Sequence, residues 1–326
     1  GSTFRRPRLD LPFYPWQRQS YWSPAARPRR AASAAPLWRS AVDAAERQSG
    51  HGPLDLGIET YPERWHVLDR LATGHIVAAF RAMGVFAVAG DSWTIDALLG
   101  AGHFVGGYEH LAGRWLGHLA TDGLLVCDGD RFTAPAPLPE VDTAALAEAA
   151  YAAFPGSEPI VDYVVRCGRQ LATVVGGEET ALNTLFPDGS YETVDFLYNA
   201  WAIPRYHNAI VRAAAVAAAT ARPTGTIRFL EVGAGTGGTS AAVLDGLPAD
   251  RTSYTFTDVS DFFLARARER FADHRFVTYG LLDIERPPAD QGYADGSFDV
   301  IVAANVLHAT KNLDTTLAHV RGLLAP

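Results

Sequence analysis

The sequence has only two cysteines, Cys127 and Cys167, in 326 residues. Two thiols cannot build a disulfide framework, and neither stands at a Cys/His spacing that would hold zinc. Cationic side chains number 28 against 36 carboxylates, and the formal charge of −8 leaves no basic field for a nucleic-acid polyanion. No apolar run is long enough to span a bilayer, and the N-terminal residues lack the charged-then-apolar pattern of a signal peptide. These absences predict a reduced cytoplasm, with neither membrane nor nucleic acid as a partner. The alanine-rich, arginine-over-lysine composition fits a bacterial source of high GC content. What the chain does have is apolar material, 48% of its residues, enough for more than one small core.

The organising stretch is Ile227–Thr239, reading Ile-Arg-Phe-Leu-Glu-Val-Gly-Ala-Gly-Thr-Gly-Gly-Thr. Ile227, Phe229 and Val232 are β-formers in a short apolar run, which predicts a buried strand of a parallel sheet. The run ends on Gly233, Gly235 and Gly237, where backbone without Cβ can turn tightly and admit a ligand closely. A helix is expected from about Thr239, which completes a nucleotide-type site. A triphosphate site would need a lysine after the last glycine, and Thr239 stands there instead. A dinucleotide remains open, since Gly233, Gly235 and Gly238 satisfy its pattern. S-adenosylmethionine (SAM), with an ammonium group and no phosphate, would favour the acidic Glu231 just before the glycines.

The downstream intervals continue the pattern. Ser253–Thr257 reads as a second strand ending in Asp258, placed to accept both ribose hydroxyls. A helix is expected over Ala265–Arg270 and a third strand over Phe276–Tyr279. Leu282 and Asp283 follow, the carboxylate to accept from an adenine amino group and the leucine to pack on the ring. Phe298–Ala303 reads as a fourth strand, running into Ala304-Asn-Val-Leu-His-Ala-Thr310.

Glu231–Gly238, Asp258, Leu282–Glu285 and Ala304–Thr310 together resemble the class I SAM-dependent methyltransferases, and more narrowly the methyltransferase domains embedded in modular polyketide synthases. The resemblance covers the last third of the chain and reaches back loosely to about residue 180. It implies a Rossmann-like α/β core over residues 181–326. The helix before the first strand, expected over Ala209–Ala221 after a break at Phe186–Gly189, would then start over the SAM site, with Tyr198, Tyr206 and Asn208 as enclosing residues. His308 is expected to be catalytic. It follows the fourth strand at the carboxyl edge of the sheet, and a histidine can take a hydroxyl or α-carbon proton as the nucleophile forms. Asn305 is expected to hold the amino-acid part of the cofactor. In the resembled family further strands follow, with a carboxylate that orients the histidine. The chain ends at Pro326 after a helix over Leu313–Leu324, so the sheet is expected to be truncated or completed by another chain.

Upstream, Leu11–Trp22 concentrates aromatics and prolines in a way that excludes regular helix and suits a chain lying on a protein surface. It resembles the linker after the acyltransferase of polyketide synthases, giving a linker over 1–36, with Arg27–Ala35 as a flexible spacer. Residues 37–180 read as a mostly helical lid. Trp38, Val42 and Ala45 share a face of its first helix. Helices are also expected from Trp65 to Met83, over Thr94–Leu99 and over Tyr108–Ala120. A hairpin over Leu124–Thr133 with an Asp-Gly turn makes the pattern winged-helix-like. With only Arg114 on its third helix, this module is expected to be structural rather than DNA-binding. His66, His75, His103, His110 and His118 read as surface or packing histidines.

The expected function is methylation of a polyketide intermediate tethered to an acyl carrier protein, beside an acyltransferase and other synthase domains. No dehydratase-sized stretch separates the aromatic run from Trp38, which favours O-methylation of a β-hydroxyl or enol. The alternatives are C-methylation at the α-carbon of a β-ketoacyl intermediate and an inactive structural remnant. A nicotinamide-dependent reductase would need a Tyr-x-x-x-Lys pair that the chain lacks.

Overall fold

The computed structural model describes residues 36–186, 190, 192–222 and 224–326. The aromatic run Leu11–Trp22 and the spacer Arg27–Ala35, and with them the linker reading, lie outside the described residues. So do residues 187–189 of the expected helix break.

In chain order, α1 (Pro36–Ser49) is followed by α2 (Tyr61–Ala82), β1 (Ser92–Thr94), α3 (Ile95–Gly100) and α4 (Glu109–Thr121). The hairpin β2 (Val126–Asp128) and β3 (Arg131–Thr133) comes next. Five helices follow: α5 (Thr143–Ala153), α6 (Glu158–Arg169), α7 (Leu171–Val175), α8 (Ala181–Leu185) and α9 (Glu192–Asp195). A π-helical turn, Phe196–Ala200, leads into α10 (Ala202–Ala221). The remainder alternates: β4 (Ile227–Glu231), α11 (Gly238–Leu244), β5 (Thr252–Asp258), α12 (Asp261–Arg270), β6 (Val277–Leu281), β7 (Val300–Val302) and α13 (Leu313–Leu323).

The α2-to-β3 stretch has the order of a winged helix, with one strand the sequence did not reveal. β1 pairs antiparallel with β3, so the wing has three strands in the order β1-β3-β2. Three residues are too few for a period to show, and Thr94 also caps α3, its hydroxyl accepting from Ala97 N at 3.1 Å. The hairpin turn is centred on Gly129-Asp130, with Gly129 at φ +62°, rather than on Asp128-Gly129. The core of this module is aromatic, built on Phe80, Phe86, Phe104 and Trp115. His75 is buried against Gly168, and burial pushes its pKa down, which keeps it neutral as a packing group.

Residues 227–326 form a four-stranded parallel sheet in the order β6-β5-β4-β7. Strands buried on both faces explain the near-continuous apolar run of β4. One face carries Phe229, Tyr254 and Phe256 against α10, α11 and α12; the other carries Leu230 and Val232 with Leu282, Ile284 and Leu323.

Three expectations are corrected here. The first helix buries Ala44 with Leu37 rather than Trp38, which is 63% exposed, because α1 packs on α10 and presents a different arc to it. α10 begins at Ala202, seven residues before the expected Ala209. Pro204 does not prevent this, because N–H groups in a first turn have no intrahelical partner to lose. The fourth strand is shorter than expected, Val300–Val302, since Phe298 bridges to Leu324 rather than to β4.

Candidate cofactor and catalytic site

The three alternating glycines all adopt left-handed backbone, with φ of +59° at Gly233, +54° at Gly235 and +77° at Gly237. Their reasons differ. A Cβ at Gly233 would sit 2.3 Å from Val306, and one at Gly237 would sit 2.7 Å from Phe271. Nothing lies within 4 Å of a Cβ at Gly235. Gly235 is therefore the position where the loop faces open space and where a ligand can meet bare backbone.

Asp258, at the end of β5, is almost fully buried beside that opening. Its carboxylate accepts from Gly235 N at 2.8 Å and from Ser260 N at 3.0 Å. Each oxygen keeps acceptor capacity for a further donor. Val259 follows, 69% exposed, and Leu281, the β6 residue in register with Asp258, is 48% exposed. Leu282, expected to pack on the adenine ring, lies 1% exposed among Leu230, Val232 and Phe298. Adjacent residues at a strand end face opposite ways, so a one-residue error exchanges core for site.

Glu231 is also placed differently from its expected role at the ligand ammonium. Its side chain is 1% exposed beneath α11, accepting from Ser240 Oγ at 2.5 Å and Tyr254 OH at 2.7 Å. Burial pushes its pKa up to about 7, aided by the Asp258 charge and opposed by the two hydroxyl donors. Burial and the Glu231 carboxylate together push the Tyr254 phenol well above its ordinary value. The carboxylate thus ties β4, α11 and β5 together behind the glycine loop rather than lining its open side.

Asp283 is held by Gln291, which donates to its carbonyl and accepts from its N–H, both at 2.8 Å. One carboxylate oxygen accepts from Glu285 N at 3.0 Å. Glu285 in turn accepts from Lys311 N, a contact that joins this loop to the one after β7. In that second loop Asn305 is exposed with φ +55°, a conformation Asn tolerates better than most residues. Val306 packs onto Gly233. His308 is exposed on the single 3-10 turn Leu307–Ala309, held in place by the Thr310 hydroxyl on Leu307 O at 2.8 Å. Among the described residues His308 itself has no hydrogen-bond partner. The glycine loop and the Asp283 loop thus each touch the loop that carries His308, at the carboxyl edge of the sheet.

Tyr206 does not join them. Its hydroxyl donates to Ser49 O at 2.7 Å, closing the end of α1 onto α10. The helix start instead presents Asn208, which accepts from Thr239 Oγ1 at 3.0 Å and donates to Tyr198 O at 3.1 Å. A cleft of about 660 Å³ between α1 and α10, with Asp43, Arg47 and Arg212 on its walls, contains none of these residues. No cluster of His, Cys, Asp and Glu among the described residues could hold a metal ion, and no described helix is long and apolar enough to cross a membrane.

Residues 230–326 match a family described as a methyltransferase domain. Over 91% of its length the chain is 34% identical to the polyketide synthase ThaQ of Burkholderia thailandensis. Over 30% of its length it is 52% identical to the highly reducing polyketide synthase gloL of Glarea lozoyensis. The CurJ carbon methyltransferase aligns with 89% of this chain and 77% of its own, at 33% identity and a TM-score of 0.82. The chain belongs to the methyltransferase domains of polyketide synthases. Its cofactor is S-adenosylmethionine, and the dinucleotide reading of the glycines is closed. A second solved structure, the DszA carbon methyltransferase, gives 28% identity and a TM-score of 0.75 over 88% of this chain and 74% of its own. The chain spans 15% of the length of ThaQ and 4% of that of gloL.

The residues in place fit S-adenosylmethionine. Gly235 opens on space a side chain would fill, and Asp258 offers buried acceptor capacity directly beside it. Val259 and Leu281 present apolar surface next to that carboxylate.

Proposed function

We propose that this domain methylates the α-carbon of a β-ketoacyl thioester carried on an acyl carrier protein, with His308 as the base. The observation that supports carbon as the acceptor is the 33% identity to the CurJ carbon methyltransferase across 89% of the chain. Bound S-adenosylmethionine supplies a methyl group activated on a sulfonium, so the protein's tasks are to hold, orient and deprotonate.

Asp258 would accept from the ribose hydroxyls and the unengaged Asp283 oxygen from the adenine amino group, with Val259 and Leu281 against the ring. The bare backbone at Gly235 and the Asn305 loop would take the amino-acid end. His308, on a turn held by Thr310 and Lys311 N, would remove the α-proton as the new carbon–carbon bond forms. The α-carbon between a ketone and a thioester becomes an enolate, so the base need only be positioned. Transfer to a β-oxygen would use the same residues. One sequence observation favours it: the lack of a dehydratase-sized stretch before Trp38.

The test offers β-keto and β-hydroxyacyl thioesters on a carrier protein side by side, with mass spectrometry locating the methyl. Label at the α-carbon of the β-keto substrate is expected, and label on oxygen would replace the reading. His308→Ala should keep cofactor affinity and lose about a hundredfold to ten-thousandfold in turnover. Near-native turnover would remove the histidine from the mechanism. Calorimetry that finds no cofactor binding to the wild-type chain would instead support a structural remnant.

A further inference from the structure

The glycine loop is gripped from two sides. From inside the core, Gly235 N donates to Asp258 and Ala234 N donates to Thr257 O at 2.9 Å. From outside, Arg270 Nη1 donates to Thr236 O at 3.0 Å. The same peptide unit carries Gly237 N, which donates to Ala234 O at 2.9 Å, so both ends of that peptide plane are fixed. Between two glycines, little else would stop it rotating. The next residue, Phe271, is the side chain that a Cβ at Gly237 would strike. The end of α12 thus braces the loop with two consecutive residues.

Arg270 is shared with the lid. It lies 3.2 Å from Asp195, which also accepts from Asn199 Nδ2 at 2.6 Å. Asp195 ends α9 and starts the π-helical turn, a geometry that is rare and clusters at functional sites. One side of that turn, Phe196 and Leu197 with Trp201, packs on the lid core of Leu68, Leu71 and Phe154. The other side reaches the loop: a Cβ at Gly238 would meet Asn199 Oδ1 at 3.0 Å and Tyr198 O at 3.1 Å. The turn is a bridge with the lid core at one end and the glycine loop at the other.

We propose that Asp195 and Arg270 are positioning residues that clamp the glycine loop to the lid, so that cofactor affinity depends on a pair that does not touch the cofactor. The proposal rests on the reading that this loop holds S-adenosylmethionine. Both side chains are partly exposed, so the pair adds little to global stability. Its effect falls on the orientation of one peptide, which a stability measurement would not detect.

The test is calorimetry with S-adenosylmethionine on the full chain and four variants. Arg270→Met, which removes the donor to Thr236 O, should weaken binding about tenfold, and Asp195→Asn about threefold. Arg270→Lys, which keeps a donor and a charge, should recover part of the loss. The double variant Arg270→Met/Asp195→Asn should bind no more weakly than Arg270→Met, because both act through one contact. Turnover at saturating cofactor should stay within about twofold of wild type, a split between affinity and rate that general destabilisation would not produce. Without cofactor, the amides of Gly235–Gly238 should exchange faster in Arg270→Met. Unchanged affinity, additive losses, losses that track the melting temperature, or unaltered amide exchange would each overturn the clamp. If the wild-type chain binds no cofactor, the reading of the loop fails on its own, and amide exchange still judges the pair.

Discussion

Gly233 and Gly235 look alike in sequence and share left-handed backbone, yet their surroundings predict opposite failures. Alanine at either position meets the left-handed penalty of about 1–2 kcal/mol. At Gly233 the new methyl also collides with Val306 at 2.3 Å, so Gly233→Ala should lower the melting temperature markedly and shift the His308 loop. At Gly235 the methyl enters open space, so the chain should lose only the backbone penalty while cofactor affinity falls at least tenfold, about 1.4 kcal/mol. Paired thermal melts and calorimetry check both, and full affinity in Gly235→Ala would mean the ligand does not approach there. Asp258→Ala should cost stability as well as binding, about 1–3 kcal/mol, because it strips the acceptor from the half-buried N–H of Gly235. Urea midpoints read that loss directly. The glycines and Asp258 were legible because spacing alone puts them at strand ends. The surroundings of Leu282 and Tyr206 were not legible, because where a side chain points depends on the register of a strand end or the rotation of a helix, and neither is written in local composition.

The helices and strands of the sheet half were legible because each carries its own period or apolar run. Those that escaped, β1 and the π-helical turn, are defined by their partners: β1 by β3, and the turn by the helical core around Leu68 and Phe154 on one side and Gly238 on the other. The short β7 makes the same point. Its hold on β4 depends on Asp299, whose carboxylate accepts from Arg228 N, Nε and Nη2 and from Arg222 Nη1. Burial pulls the Asp299 pKa upward, but these donors hold it at about 2. A carboxylate depressed in the fold stabilises it fully above the ordinary value of 3.8, and that contribution is lost as pH falls towards 2. Asp299→Asn should therefore destabilise the chain by about 1–3 kcal/mol at neutral pH, and the gap to wild type should narrow below pH 4. Urea midpoints at pH 7 and pH 3 measure it, and an equal gap at both would show that the arginine contacts carry no net energy.

Across the whole molecule, the pH dependence of folding should be shaped by a carboxylate that works the other way. Glu231 is enclosed by Ser240, Tyr254 and the core, and burial lifts its pKa from 4.5 to about 7. Between those values the folded chain holds a proton that the unfolded chain has released. Folding stability attributable to Glu231 is thus present below about pH 4.5 and declines as pH rises through 7. At about 1.4 kcal/mol per pH unit, the ionised and buried carboxylate costs roughly 3 kcal/mol above neutrality. His75 opposes this trend, because burial lowers its pKa and stability is lost as pH falls through its ordinary 6.5. The two effects overlap in the raw profile, and comparing Glu231→Gln with wild type separates them, since His75 is common to both. The glutamine cannot ionise, so its fixed cost or gain is the same at every pH. The stability difference between variant and wild type should shift in the variant's favour by roughly 3 kcal/mol between pH 5 and pH 8. Denaturant unfolding at closely spaced pH values reads this difference. Parallel profiles for the two chains would mean that Glu231 is already ionised across this range, as if Ser240 and Tyr254 satisfied it fully within the fold.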